Sequence, residues 1–186
     1  MQITPEIEDV YWYPYRFHGF SSNIYAIDQG DEVWLIDAGT DRFRFFWSFL
    51  KRFKADGLKP ERITKVFFTH AHPDHCSGVS KLVKLCQPEF LASERELSWY
   101  RQTTEISNLD GFWGAQLEAA ADLHKFLLPL PQRLLIAMAN IQMGKIPTIQ
   151  RLSLLNQTPI KGPRFTITVY PTPGHSPGHE IGRAHV

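Results

Sequence analysis

Cysteine is scarce in this sequence: Cys76 and Cys86 are the only two in 186 residues. A single pair at that spacing makes neither a disulfide framework nor a zinc knuckle. It fits a reducing compartment, so a cytoplasmic location is expected. Excess charge is lacking as well. Twenty Lys and Arg against 19 Asp and Glu leave a formal net charge of +1, which gives no electrostatic footprint for a nucleic-acid or membrane partner. A small molecule is the expected partner, and the oligomeric state is left open. Long apolar runs are also missing. Residues 1–20 carry early acids and no apolar segment, so no signal peptide is expected. The most apolar later stretch, 126–143, is broken by Pro129, Pro131, Gln132 and Arg133, and a membrane span needs about 20 apolar residues.

The length suits one domain with a sizeable core, expected over residues 1–180. Residues 22–26 and 32–36 flank Asp28-Gln29-Gly30-Asp31, a turn composition, and predict a β-hairpin. A helix is expected over 42–55, capped by Thr40 or Asp41 and ended by Gly57 and Pro60. Phe43, Phe46, Phe49, Leu50 and Phe53 give it one buried face. The β-branched and aromatic run 63–69 predicts a buried strand. After it the pattern predicts a helix over 78–86, a strand over 89–92 and a helix starting near Ser93-Glu94. Residues 103–155 read as mostly helical, and 164–170 as a strand. Strands alternating with helices indicate a mixed α/β sheet.

The chemistry concentrates at the end of the strand predicted at 63–69. Three of the eight histidines fall in Thr69-His70-Ala71-His72-Pro73-Asp74-His75. In an extended loop, residues i and i+2 point the same way, so the imidazoles of His70 and His72 can meet one metal ion. A turn would carry Asp74 and His75 to a second ion, ~3.5–4 Å from the first in paired sites. Imidazole with carboxylate suits zinc, iron or manganese. A histidine-rich surface loop is the bland alternative, and the preceding apolar strand weighs against it. Cys76 is expected to be a small buried residue.

His-x-His-x-Asp-His after a strand resembles the signature of the metallo-β-lactamase superfamily, in its glyoxalase II-like and lactonase-like branches. The resemblance extends from Ser22 to His179, weakly in the middle. It implies an αββα sandwich with two divalent metal ions, expected to be zinc, at one edge. Asp37-Ala38-Gly39 is similar to the turn after the family's opening hairpin, which implies that Asp37 orients ligands from beneath the metals. The segment 172–179 is similar to the next motif, which implies that His175 completes the first site with His70 and His72. His179 is expected to brace that loop rather than bind metal. By the same resemblance a metal-held water would lose a proton near neutral pH and attack a small ester, thioester or lactone. Asp74 would orient that water or take its proton. An iron-dependent oxygenase acting on persulfides is the alternative on the same ligands. A nuclease fits the neutral charge poorly.

Two further ligands that the family pattern implies, a bridging aspartate and a last histidine, are not found downstream. The chain is therefore expected to be a fragment with an incomplete second site, poorly active or unstable alone. The last six residues, Ile181-Gly182-Arg183-Ala184-His185-Val186, are what the string ATC GGA AGA GCA CAC GTC would encode, and that string matches a widely used sequencing-library adapter. They are expected to be a non-native tail, with His185 no ligand. The helical insertion at about 103–155 holds an apolar stretch, 112–143. It is expected either to line a pocket for an apolar substrate or only to pack onto the sandwich.

Overall fold

Val33-Trp34-Leu35-Ile36 is apolar throughout because both of its faces are covered. The computed structural model describes residues 7–17, 20–101, 147–149 and 152–185. In it, strand β3 (Val33–Ile36) lies inside a six-stranded sheet. Val33 and Leu35 face a core shared with Phe46, Phe49 and Phe53 of helix α1 (Phe43–Ala55). Trp34 faces the other way, into a second core with Phe67, Leu91, Phe165, Ile167 and Val169. The layers are therefore helix, sheet, sheet.

The first sheet runs in chain order. Strand β1 (Val10–Phe17) pairs antiparallel with β2 (Phe20–Asp28), and β2 with β3. Beyond the α1 crossover, β3 pairs parallel with β4 (Ile63–Phe67), then come β5 (Glu89–Ala92) and β6 (Leu152–Leu154). The second sheet is antiparallel: β7 (Ile160–Lys161), β8 (Thr166–Pro171) and β9 (Glu180–His185).

Helix α1 ends as its sequence dictates. Gly57, at φ +82°, takes the left-handed turn that a side chain resists. Its N–H bonds Lys54 O, and the N–H of Leu58 bonds Phe53 O. That pair of bonds is a Schellman close, and Leu58 is buried against the helix. The start differs from expectation. The capping position is Arg42, with no side-chain cap. Thr40 Oγ1 accepts from Arg42 N, and Asp41 N is bonded to Ser77 Oγ. This turn is tied to the histidine loop rather than to its own helix.

Other expectations shift too. The hairpin is present, with longer strands. The helix expected over 78–86 is cut to α3 (Val79–Leu82), preceded by α2 (Pro73–Cys76). After α3 the bonds Lys84 N to Lys81 O and Leu85 N to Leu82 O tighten the chain into turns. The helix near Ser93 is a 3₁₀ turn (Glu94–Glu96) followed by α4 (Leu97–Tyr100). Leu152–Leu154, within the stretch read as helical, is strand β6. It extends the parallel edge by pairing with β5. The apolar stretch 112–143 lies outside the described residues. Residues 181–185, expected as a non-native tail, form most of β9, through backbone pairing that any extended segment can make. Strand β1 was not anticipated. It is an edge strand, which accommodates Pro14.

Candidate metal centre

The two parallel strands β3 and β4 end side by side, and their C-terminal loops build the site. Asp37 follows β3 in a left-handed conformation, φ +62°, which aspartate tolerates better than most residues. Asp37 is 3% exposed. Oδ1 accepts from Thr69 N at 2.8 Å, and Oδ2 accepts from Thr69 Oγ1 at 2.8 Å. His75 Nδ1 lies 2.7 Å from the same Oδ2. The loop is pinned elsewhere by Ser22 Oγ donating to Asp74 O at 2.7 Å, Ala38 N to His75 O at 2.8 Å and Tyr100 Oη to His70 O at 3.0 Å.

These bonds fix the protons on the rings. The Thr69 hydroxyl gives its proton to Asp37, so its oxygen must accept from His70 Nδ1, 2.9 Å away. That leaves His70 Nε2 with a free lone pair. His75 likewise gives its Nδ1 proton to Asp37 and turns Nε2 toward Asp74 Oδ2, 3.6 Å away. His72 Nδ1 sits 2.8 Å from His70 Nε2. Two ring nitrogens thus converge on one point.

His175 arrives from the other sheet, in the turn between β8 and β9. Its ring centroid lies 4.8 Å from that of His70 and 4.5 Å from that of His72. One ligand atom from each of His70, His72 and His175 falls within 4.8 Å of the others. Nitrogens held ~2.0–2.1 Å from a tetrahedral zinc sit roughly 3.3–3.5 Å from one another, so this donor set fits a divalent metal with small adjustments. Asp74 and His75 stand beside it, the His75 ring 4.3 Å from His70. His179 is also near, 5.2 Å from His70. Its Nδ1 is engaged by Thr172 Oγ1 at 2.8 Å, and its backbone oxygen accepts from Thr172 N. It closes the loop on itself. His185 lies at the far end of β9, in register with Thr166.

The electrostatics favour neutral imidazoles at the centre. Burial, reinforced by His75, His72, His175 and His179, pushes His70 far below the usual imidazole range. Burial and then His175, His75 and His179 push His72 down to about 2. Burial, His179 and His75 lower His175. His75 is the exception. Burial disfavours its charge, but the Asp37 carboxylate, with Asp74 behind it, overrides burial and raises the ring to about 9. A cation at that position must displace a proton.

The sequence model of the metallo-beta-lactamase superfamily matches residues 19–184. This chain belongs to that superfamily. Among solved structures, a metallo-beta-lactamase from Cronobacter sakazakii, altered in its HARLDQ motif, matches at 16% identity. The match covers 99% of this chain and 58% of that one, with a TM-score of 0.66. A subclass B3 metallo-beta-lactamase from a soil metagenome library matches at 18% identity, covering 95% and 58%, with a TM-score of 0.65. A B3 metallo-beta-lactamase with an active-site glutamic acid gives 20% identity, 97% and 56% coverage, and 0.67. At these identities the likeness establishes the fold, and this superfamily member spans a little over half the length of those chains. No curated protein matches it.

Three participants were not visible in the sequence. Thr69 was quoted with the motif but given no part. Tyr100 and Glu96 come from the segment after β5, and both are buried. Nothing local marks a glutamate in Ser93-Glu94-Arg95-Glu96 as facing inward. Only the fold brings it against the histidine loops. Among the described residues no helix is long and apolar enough to cross a membrane.

Proposed function

We propose that this superfamily member is a metal-dependent hydrolase acting on a small ester, thioester or lactone. The observation that carries this reading is the convergence of His70, His72 and His175 from two separate sheets, with neutral, inward-facing nitrogens. His70 through Nε2, His72 through Nδ1 and His175 would hold one ion, expected to be zinc. Asp74 and His75 would contribute to a second. A divalent metal supplies Lewis-acid polarisation and brings the pKa of a coordinated water toward neutrality. The chain's own residues do the rest. Asp37 holds the His75 ring directly and the His70 ring through Thr69, fixing which nitrogen of each faces inward. Asp74, 8% exposed, would receive the proton of the attacking water at its carboxylate.

The test is direct. The chain should take up zinc, and His70→Ala or His175→Ala should abolish high-affinity uptake. The protein should hydrolyse aryl esters, thioesters or lactones, with loss of turnover in Asp74→Asn. Preferential iron uptake, with oxygen consumption on a persulfide and no ester hydrolysis, would transfer the assignment to an oxygenase.

A further inference from the structure

Glu96 is 1% exposed and lies between the two histidine-bearing loops. Its Oε2 accepts from Ala71 N at 3.1 Å, between His70 and His72. Its Oε1 accepts from Ser176 Oγ and from Gly178 N, both at 2.8 Å, just beyond His175. One carboxylate thus bonds both loops, across sequence separations of 25 and 80–82 residues. No salt bridge among the described residues includes it. A buried carboxylate without a paired cation is costly unless its oxygens are satisfied, and here three donors satisfy them. The approach is close enough to require glycine: a Cβ on Gly178 would lie 2.6 Å from Glu96 Cγ and 2.8 Å from Oε1. The same short segment delivers the Tyr100 hydroxyl to His70 O.

Resting on the metal-centre reading above, we propose that Glu96 is a positioning residue. It locks the loop of His70 and His72 to the loop of His175, so that the three imidazoles converge before a metal arrives. Glu96 hydrogen-bonds none of the three rings and acts through the backbone on either side of them. Its replacement by the isosteric amide is informative because Gln has one acceptor oxygen where Glu has two. Glu96→Gln can accept from Ala71 N or from Gly178 N, but not from both, and the amide N–H then faces the other backbone N–H, donor to donor.

The experiment compares wild type, Glu96→Gln, Ser176→Ala and, as a control for general destabilisation, Gln29→Ala. Gln29 is equally buried and joins the two sheets by three bonds far from the site. In the metal-free chain, amide exchange at Ala71 or Gly178 should quicken in Glu96→Gln, and by less at Gly178 in Ser176→Ala. Zinc affinity by chelator competition should fall about tenfold in Glu96→Gln, the range for losing a partner that orients a site. The visible spectrum of the cobalt-loaded chain should change with it. Gln29→Ala should lower stability while leaving zinc affinity and the cobalt spectrum unchanged. If Glu96→Gln does not fold, Ser176→Ala decides, since it removes one of the three bonds. Unchanged exchange and unchanged zinc affinity in the variants that fold would overturn the proposal, as would Gln29→Ala weakening zinc equally. A wild-type chain that takes up no zinc would defeat the metal-centre reading, and exchange at Ala71 and Gly178 would still judge the tie.

Discussion

His70 and His72 are 3% and 2% exposed, whereas His175 lies at the surface, although all three reach one point. The difference lies in what holds each loop. Residues 69–76 grow out of the central parallel strands. They are gripped from below by Asp37, from one side by Ser22 and Ala38, and from the other by Tyr100. Residues 172–179 hang between two strands of the smaller sheet. Their ties to the larger one are Glu180 N to Thr69 O at 2.9 Å, the bonds to Glu96, and Arg95 to Pro177 O. One loop is part of the core, and the other is docked onto it. Folding of the core alone therefore positions two of the imidazoles, while the third depends on a few hydrogen bonds to the docked loop.

The largest effect should come from the support under the buried loop. Asp37→Ala removes one partner of a buried pair and orphans Thr69 N, which costs about 3–5 kcal/mol. Urea unfolding of the metal-free chain measures it. Asp37→Asn is gentler and tests the electrostatics. In the wild type His75 is raised from 6.5 to about 9. The pair's contribution is therefore complete below pH 6.5 and drains away as pH climbs through about 9. With the Asp37 carboxylate gone, burial is opposed by Asp74 alone, and the His75 ring should titrate well below 9 by NMR. A His75 ring still near 9 in Asp37→Asn would show that another group sets it.

Gly78→Ala should rank next. A Cβ there would lie 2.0 Å from Ala38 O, where Gly78 N bonds Gly39 O at 2.9 Å. Backbone must move, at a cost of about 3 kcal/mol, the upper end for overpacking. His175→Ala is the counterpart on the docked loop. Its metal-free stability should stay within about 0.5 kcal/mol of wild type, as for an exposed site. Its zinc affinity should fall by more than the ~10–100-fold lost with an outer partner. If His175→Ala destabilised the metal-free chain as much as Gly78→Ala, the contrast between a core loop and a docked loop would be wrong.

That contrast also explains what could be read from the sequence. The buried loop was legible because its histidines and aspartate are clustered and follow a β-branched, aromatic run whose apolarity marks a strand covered on both faces. Asp37 and His175 were reached only through family resemblance, because the pairing of β3 with β4 and the stacking of two sheets are long-range facts. Glu96 was not reached at all. Its role depends on a 3₁₀ turn carrying it under both loops, and no periodicity encodes that. Strand β1 escaped because Pro14 breaks the usual strand pattern, which an edge position permits. The shortfall of the helix at 78–86 has a similar source. Gly78 is placed for its close approach to Ala38, and α3 (Val79–Leu82) gives way to turns after a single turn of helix.

The smallest effect sharpens the division within the docked loop itself. Thr172 Oγ1 lies 2.8 Å from His179 Nδ1, and Thr172 N bonds His179 O at 2.8 Å, so the loop closes at its base. Thr172→Val keeps the shape and the backbone bond but removes the hydroxyl. His179 is only partly buried, so water can replace that partner, and the loss should be about 1 kcal/mol. Zinc affinity should then move by no more than about fivefold, the equivalent of that energy, and His179→Ala should behave alike. A hundredfold loss in either variant would instead mean that the His179 ring binds the ion and that Thr172 orients it. The docked loop would then carry two ligands where its closure by Thr172 now argues for one.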